Sequence, residues 1–501
     1  MHPIESRTLD SLDFETAAGE EGSTWRNLLP PEPWLSIVSS DPGRFATYAR
    51  FRLEAGITSA PSAVIRARKP HQQTRPVPVV GVPERIAYRA FCNAVLATQE
   101  AADRSADSYR EFIAGPIKLA FEGQGGRMHP GRANFHYLVE SDIAAFYEYV
   151  NHPRLLHELQ LRTQSVEMPR HLIELLGEIQ GRPVGLPQLL DPSDELSEVY
   201  ARIIERELRR KGIPVWRYND DFKLAAHTYE EAQSHLETLA QEASAIGLIL
   251  NEKKTRILKF STYFWSNWFE FEKEGDVEFK PELIKVSSEY GELDVDEALM
   301  LAQVSVSRLA TSDEDGKWDV RNLRPEQART IGQAFGLLSK LYDPAGLAYV
   351  PMLFEYVPHL TARLGRYLAE LGRNGIQIEG TWDAIIVKSG VYNAWQRVWL
   401  VYVARDAGLL DDAARQGWVR AQRDDPDPLL RAEAALALAP HGVITFDEID
   451  LAVRVEPEAL IPWYALAAKS IPNVNQNRLL SLKQGHGLIE VLLSKAPRKA
   501  S

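Results

Sequence analysis

Cysteine is almost absent: Cys92 stands alone in 501 residues, which excludes an internal disulfide and any CxxC metal knuckle and fits a reducing cytoplasm. Long apolar runs are missing as well. No uninterrupted stretch approaches the roughly 20 residues that a membrane-spanning helix needs. The opening "MHPIESRTLDSLDFETAAGEEGSTW" has neither the basic start nor the apolar centre of a secretory leader. A cytoplasmic chain without membrane contact is the expectation. Basic charge is also short: 57 Lys and Arg stand against 69 Asp and Glu, a formal charge of −12. Proteins that coat nucleic acid without regard to sequence neutralise phosphates with Lys and Arg, so the balance counts against that class. One local exception runs from 66 to 89, where Arg66, Arg68, Lys69, Arg75, Arg85 and Arg89 face the single acid Glu84. Such a stretch either meets phosphates or is a solvated basic loop.

What the chain does have is apolar material, 45% of its residues, enough for packed cores in roughly two to four domains. The Pro-rich piece "RPVPVVGVPERIAYRAF" reads as extended chain before a helix that opens near Glu84. "FEGQGGRMHPGRANFHYLVESD" reads as a glycine-rich turn feeding a strand. Residues 154–179 and 193–211 have the spacing of amphipathic helices, and "YEEAQSHLETLAQEASAIG" is a helix closing at Gly247. After about residue 265, "FEFEKEGDVEFKPELIKV" and "TSDEDGKWD" interrupt the pattern, and from Pro325 onward amphipathic helices dominate. Residues 424–442, "DDPDPLLRAEAALALAPHG", look like one helix of a HEAT-type pair, with an Asp/Pro start and a Gly stop. No clean repeat period is present. The fold class expected is α+β, with a domain boundary at 265/266 separating 1–265 from an all-α part, 266–501.

Two acids interrupt apolar surroundings in "VWRYNDDFKLAA", residues 215–226, which reads as strand, turn, strand with Asn219 and Asp220 at the bend. Turns of this composition are common for structural reasons alone. A third acid, Asp142, ends the apolar strand pattern of "HYLVESDIAAFYEYVNH", and burying it costs free energy unless it is paired or coordinated. If the hairpin tip lies beside Asp142, three carboxylates converge. Their repulsion would raise their pKa values, and a divalent cation taking oxygen ligands, above all magnesium, removes the conflict. Two such ions can serve an in-line phosphoryl transfer.

In order along the chain stand "SDIAAFY" (141–147), "GLPQLLDPS" (185–193), "YNDD" (218–221) and "GLILNEKKT" (247–255). Together they resemble motifs A, B, C and D of the reverse transcriptase palm, and the resemblance covers roughly residues 65–260. It implies a palm and fingers domain whose catalytic motifs occupy 137–260. It implies Asp142, Ile143, Asp220 and Asp221 as the metal site for two Mg²⁺, or Mn²⁺, and Lys254 as a catalytic cation near the pyrophosphate. It further implies Tyr147 as the bulky side chain that excludes a ribose 2′-hydroxyl. Gly185, Pro187, Gln188 and Ser193 match the motif B loop that packs on nucleotide and template, and Arg75 and Arg85 match finger residues on phosphates. Leu189 departs from the pattern, since motif B normally has a glycine after its Gln. No primer-grip hairpin, basic thumb, RNase H or endonuclease pattern follows motif D.

A compact palm followed by a long helical, HEAT-like half is similar to the abortive-infection and related defence-associated reverse transcriptases of bacteria. That likeness implies DNA synthesis from dNTPs that dispenses with a template and starts from a protein hydroxyl, in antiphage defence, within a homo-oligomer. The single-stranded DNA product would then hang on a Tyr or Ser; Tyr342, Tyr349, Tyr356, Tyr367, Tyr392, Tyr402 and Tyr464 are the candidates in the helical half. Two alternatives stay open: a template-dependent reverse transcriptase of a retron or mobile element, using an RNA or DNA template, and a catalytically idle palm that serves as a binding scaffold.

Overall fold

A computed structural model describes residues 2–272 and 295–494, apart from 26–27, 59–60, 71–72, 100, 102, 125–127, 164 and 312–315. Most of "FEFEKEGDVEFKPELIKV", the centre of "TSDEDGKWD" and part of the glycine-rich turn at 125–127 therefore lie outside the described residues. The chain divides into two compact units, one formed by 91–288 and the other by 1–90 together with 289–501. The sequence placed a boundary at 265/266 from the change of pattern there; the compact units follow contacts, and residues 1–90 group with the helical half.

In the unit 91–288 the strands Tyr137–Asp142 (β3), Val215–Tyr218 (β4), Asp221–Ala226 (β5) and Arg256–Lys259 (β6) form an antiparallel sheet in the order β4-β5-β3-β6. Alternation along the strands sends neighbouring side chains to opposite faces. Leu138 and Ala225 face one way, into a cluster with Ile117, Phe121, Phe135, Phe260 and Phe264. Val139 and Leu224, both fully buried, face the other way, where the helix Tyr229–Ala245 covers β3 and β5. That helix starts where the Thr228 side chain accepts a hydrogen bond from Glu231 N, a standard N-cap, and its end is followed by Gly247 at φ +82°. The helix Asp191–Arg210 buries Leu196, Val199, Tyr200, Ile203, Ile204 and Leu208 on one stripe, with acids in its first turn and arginines in its last. The single helix expected at 154–179 is two, His152–Thr163 and Glu167–Gln180, and Pro169 sits in the first turn of the second, where a missing N–H costs nothing.

The unit of 1–90 and 289–501 begins with short helices and a hairpin, Ala63–Arg68 (β1) against Thr74–Val79 (β2). Its larger part is a row of helices in which every second helix packs on the next: Pro325–Lys340, Thr361–Arg373, Ala394–Asp406, Pro428–Leu438, Ile461–Ser470 and Gly487–Leu493. The helix expected at 424–442 is Pro428–Leu438, capped by Asp427, which accepts from Leu429 N and Leu430 N; Gly442 follows at φ +67°. Trp395 and Trp399 are fully buried on Ala394–Asp406, and both indoles donate to Leu28 O, which ties the N-terminal segment to the row. At Gly365 an added Cβ would lie 2.4 Å from the Trp399 ring, so only glycine permits that helix contact. Among the described residues no helix is long and apolar enough to cross a membrane.

Candidate active site

Strand pairing alone brings the three acids together. In the β4–β5 hairpin Tyr218 pairs with Asp221, which leaves Asn219 and Asp220 as the tip, and Asn219 adopts φ +54°, a left-handed conformation that Asn tolerates better than most residues. On the other side of β5, Asp142 of β3 pairs directly with Asp221. One carboxylate oxygen from each of Asp142, Asp220 and Asp221 lies within 4.8 Å of the others. The convergence expected from the sequence is present.

The electrostatics match a site made for cations. Burial, and then the charge of Asp142, push the Asp220 carboxyl above the ordinary range. Asp221 is pushed up to about 7 by burial, by Asp220 and by Asp142, with Lys254 opposing. Such a set of hard oxygen donors, held close and short of positive charge, fits a divalent cation. Lys254 Nζ lies 2.9 Å from Asp142 Oδ1 and 4.0 Å from Asp221 Oδ1, so the lysine reaches the acids and partly substitutes for such a cation. Ile143 is buried and its N–H donates to Asp220 O at 3.1 Å; its only conceivable ligand atom is the backbone carbonyl.

Tyr147 lies half-buried beyond the strand end. Its hydroxyl donates to Asp194 Oδ1 at 2.5 Å and accepts from Arg104 Nη2 at 2.9 Å; burial and the Asp194 charge push its pKa up to about 12. The motif B loop folds back on this segment. Gly185 N donates to Val150 O at 2.8 Å and Leu186 N to Tyr147 O at 2.7 Å, and Gly185, at φ +95°, has Glu148 O only 3.2 Å from where a Cβ would stand. Pro187 is buried and Gln188 half-buried in the same loop. Leu189 holds φ +66°: the backbone demands a left-handed residue where motif B normally has glycine, and this chain meets the demand with a strained leucine.

Two expectations need correction. Ser193 is fully buried in the first turn of Asp191–Arg210, so its hydroxyl is closed to a nucleotide. Arg85 is fully buried, with Nε donating to Glu21 at 2.6 Å and Nη1 to Glu32 at 2.6 Å; its charge is consumed inside the core and it contacts no phosphate. Arg75, half-buried on β2, belongs to the other compact unit.

Two residues at the site escaped the sequence reading. Asn251 Nδ2 donates to Asp142 Oδ2 at 2.8 Å and Asn251 N to Asp142 O at 2.7 Å, which orients the carboxylate; its place inside "GLILNEKKT" was the available signal. Arg104 bonds Tyr147 and sits 3.0 Å from Asp194, while its own carbonyl accepts from Tyr218. Nothing in the sequence around it marks that role.

Residues 69–284 match the family described as reverse transcriptase (RNA-dependent DNA polymerase). The chain thus contains a reverse transcriptase domain, and its fold is that of a mixed palm with a helical C-terminal region. No curated protein matches it in sequence. Among solved structures, telomerase from Candida albicans in complex with a fragment of telomeric RNA is 11% identical, with a TM-score of 0.31, over 79% of this chain and 65% of that one. Apo telomerase from Candida tropicalis is 10% identical, with a TM-score of 0.32, over 85% of this chain and 74% of that one. Likeness this loose supports no conclusion about activity or partners.

Proposed function

We propose that the protein is a nucleotidyltransferase that synthesises DNA from dNTPs at Asp142, Asp220 and Asp221. The observation that carries the reading is the direct pairing of Asp142 with Asp221 beside the Asp220 hairpin tip, inside a span that matches the reverse transcriptase family. Asp142, Asp220 and Asp221 would hold two Mg²⁺ ions, which Mn²⁺ can replace. Bound there, the ions lower the pKa of the attacking hydroxyl and neutralise charge on the pyrophosphate. Asn251 keeps the Asp142 carboxylate turned toward the site. Lys254, an exposed cation beside Asp142, can meet a leaving phosphate and return a proton. Tyr147, anchored by Asp194 and Arg104, forms the wall that excludes a 2′-hydroxyl.

The mode of synthesis is read as template-independent and primed by a protein hydroxyl, in antiphage defence, on the strength of the palm motifs passing into a helical, HEAT-like half without a thumb pattern. Tyr342 and Tyr356 are the exposed candidates for carrying product, at 46% and 37% exposure, whereas Tyr367, Tyr392, Tyr402 and Tyr464 are buried. A second reading, template-directed synthesis, is favoured by the family's own description as RNA-dependent. Purified protein with Mg²⁺ and labelled dNTPs separates them. Polymer formed after nuclease treatment and without added nucleic acid supports the first mode, and synthesis only on an added template supports the second. Synthesis undiminished in Asp220→Ala would remove the site from the reaction.

A further inference from the structure

Every hydrogen-bonding capacity of the Tyr147 hydroxyl is occupied. A phenol carries one donor and two acceptor lone pairs. Its proton goes to Asp194 Oδ1 at 2.5 Å, and its lone pairs meet Arg104 Nη2 at 2.9 Å and Ser197 Oγ at 3.3 Å. Burial and the Asp194 charge push the phenol up to about 12, so it keeps its proton through the neutral range and stays committed as a donor.

Three separate pieces of chain converge on that one group. Arg104 precedes the helix Ala106–Ala120, Tyr147 follows the end of β3, and Asp194 and Ser197 come from the helix Asp191–Arg210. Arg104 engages the cluster with both terminal nitrogens: Nη1 lies 3.0 Å from Asp194 Oδ1, and Nη2 also donates to Ser197 Oγ at 3.0 Å and to Asp194 O at 3.3 Å. Its Nε is buried without a hydrogen-bond partner among the described residues, a cost that the terminal nitrogens must offset. Asp194 stands in the first turn of its helix, where an acid ordinarily serves the helix dipole, yet its carboxylate is turned to Tyr147 and Arg104. The Arg104 carbonyl accepts from the Tyr218 hydroxyl at 3.1 Å, and Tyr218 pairs with Asp221. The same short segment therefore reaches the hairpin of Asp220 and Asp221.

Bulk and saturation reject a 2′-hydroxyl for different reasons. Bulk rejects it by overlap, whatever the phenol is bonded to. A saturated phenol rejects it because a hydroxyl pressed against it loses water and gains no partner. A free phenol, by contrast, would donate to that hydroxyl and stabilise the ribonucleotide. We infer that Asp194 and Arg104 are specificity-determining residues: by occupying the Tyr147 hydroxyl they leave a ribonucleotide's 2′-hydroxyl unpaired, and the site prefers deoxynucleotides for that reason. The inference rests on the proposed function, which sets the sugar of an incoming nucleotide against Tyr147.

Titration of the full chain with dATP and with ATP, which differ only in the 2′-hydroxyl, tests it. Ca²⁺ holds the triphosphate without turnover and gives the affinity ratio; initial rates in Mg²⁺ give the same ratio for synthesis. Binding that Asp220→Ala weakens is binding at this site. The wild type should prefer dATP. Asp194→Ala, which frees the phenol proton, should reduce that preference about tenfold or more, and Arg104→Gln should reduce it less. Asp194→Asn, whose amide oxygen still accepts from the phenol, should keep most of it. Tyr147→Phe should keep the preference, and the double variant Tyr147→Phe/Asp194→Ala should restore it, since no phenol remains to donate. A turn merely loosened by the loss of Asp194 would admit ATP in the double variant as well; melting temperatures show that each variant is folded. No preference in the wild type, equal preference in wild type and Asp194→Ala, or preference as low in the double variant as in Asp194→Ala would overturn the inference. Synthesis from dATP that Asp220→Ala abolishes would leave the proposed function standing beside such a result, whereas failure of the wild type to bind dATP would overturn both.

Discussion

The carboxylate site in one compact unit and the arginine-centred core of the other handle buried charge in opposite ways. In 91–288, Asp142, Asp220 and Asp221 press like charges together, and one half-exposed lysine, Lys254, answers them. In 1–90 with 289–501, buried acids are matched one by one: Glu21 and Glu32 with Arg85, and Glu433 with Arg405 and the Trp463 indole. Burial lowers the Arg85 pKa, and its two carboxylates together outweigh this and raise it. The contrast separates charges that hold a core together from charges that wait for something. Matched ions serve the fold, and breaking a pair is expensive because the survivor stays buried. Unmatched ions cost stability, and their persistence marks a place where a ligand supplies the missing charge.

That contrast can be broken first at its largest effect. Asp142→Asn should lower DNA synthesis about a thousandfold or more, about 4 kcal/mol of transition-state stabilisation, with no fall in melting temperature; initial rates with labelled dNTP and a thermal scan check both halves. Arg85→Met should do the reverse. It strands Glu21 and Glu32 inside the core and should cost about 3–5 kcal/mol of stability, read from denaturant midpoints.

Smaller effects sharpen the picture. The Asp221 carboxyl is held up to about 7 in the folded chain, against about 3.9 when unfolded. Between those values the unfolded state binds fewer protons, so this group's contribution to stability falls as pH rises from about 4 to 7. Asp221→Asn in chelator should therefore stabilise the protein by about 1 kcal/mol at pH 8, after allowance for solvent screening, and the gain should vanish near pH 4. Equal melting shifts at both pH values would contradict it. At the same pH 8, Mg²⁺ should raise the wild-type melting temperature more than that of the variant. The smallest effect is at Leu189, whose φ of +66° should make Leu189→Gly stabilising by up to about 1 kcal/mol, net of the flexibility that glycine adds to the unfolded chain.

Local chemistry made much of this legible in advance. The Asn219-Asp220 turn, the Thr228-capped helix and the Asp427-capped helix are encoded by residues a few positions apart, where backbone sterics and capping hydrogen bonds act directly. The order of four short motifs was legible for the same reason. Arg85 misled because a basic stretch looks the same whether its cations face solvent or the core; the carboxylates that bury it, Glu21 and Glu32, lie 64 and 53 residues away. Arg104 was invisible because its partner Tyr147 is 43 residues distant, and Asn251, although inside a recognised motif, gave no sign of its role because its partner Asp142 is 109 residues distant.

From the sequence alone came the residue types of the candidate site, the hairpin that carries two of its acids, and the helical character of the second half, since strand, turn and helix periodicities are local properties of the chain. The tertiary structure alone decided which charges are answered. Pairing β3 with β5 set Asp142 against Asp221, with the single charge of Lys254 beside three acids, and packing gave Arg85 two carboxylates. Electrostatic energy depends on distances through space and on exclusion of water, and neither can be read from position along a chain.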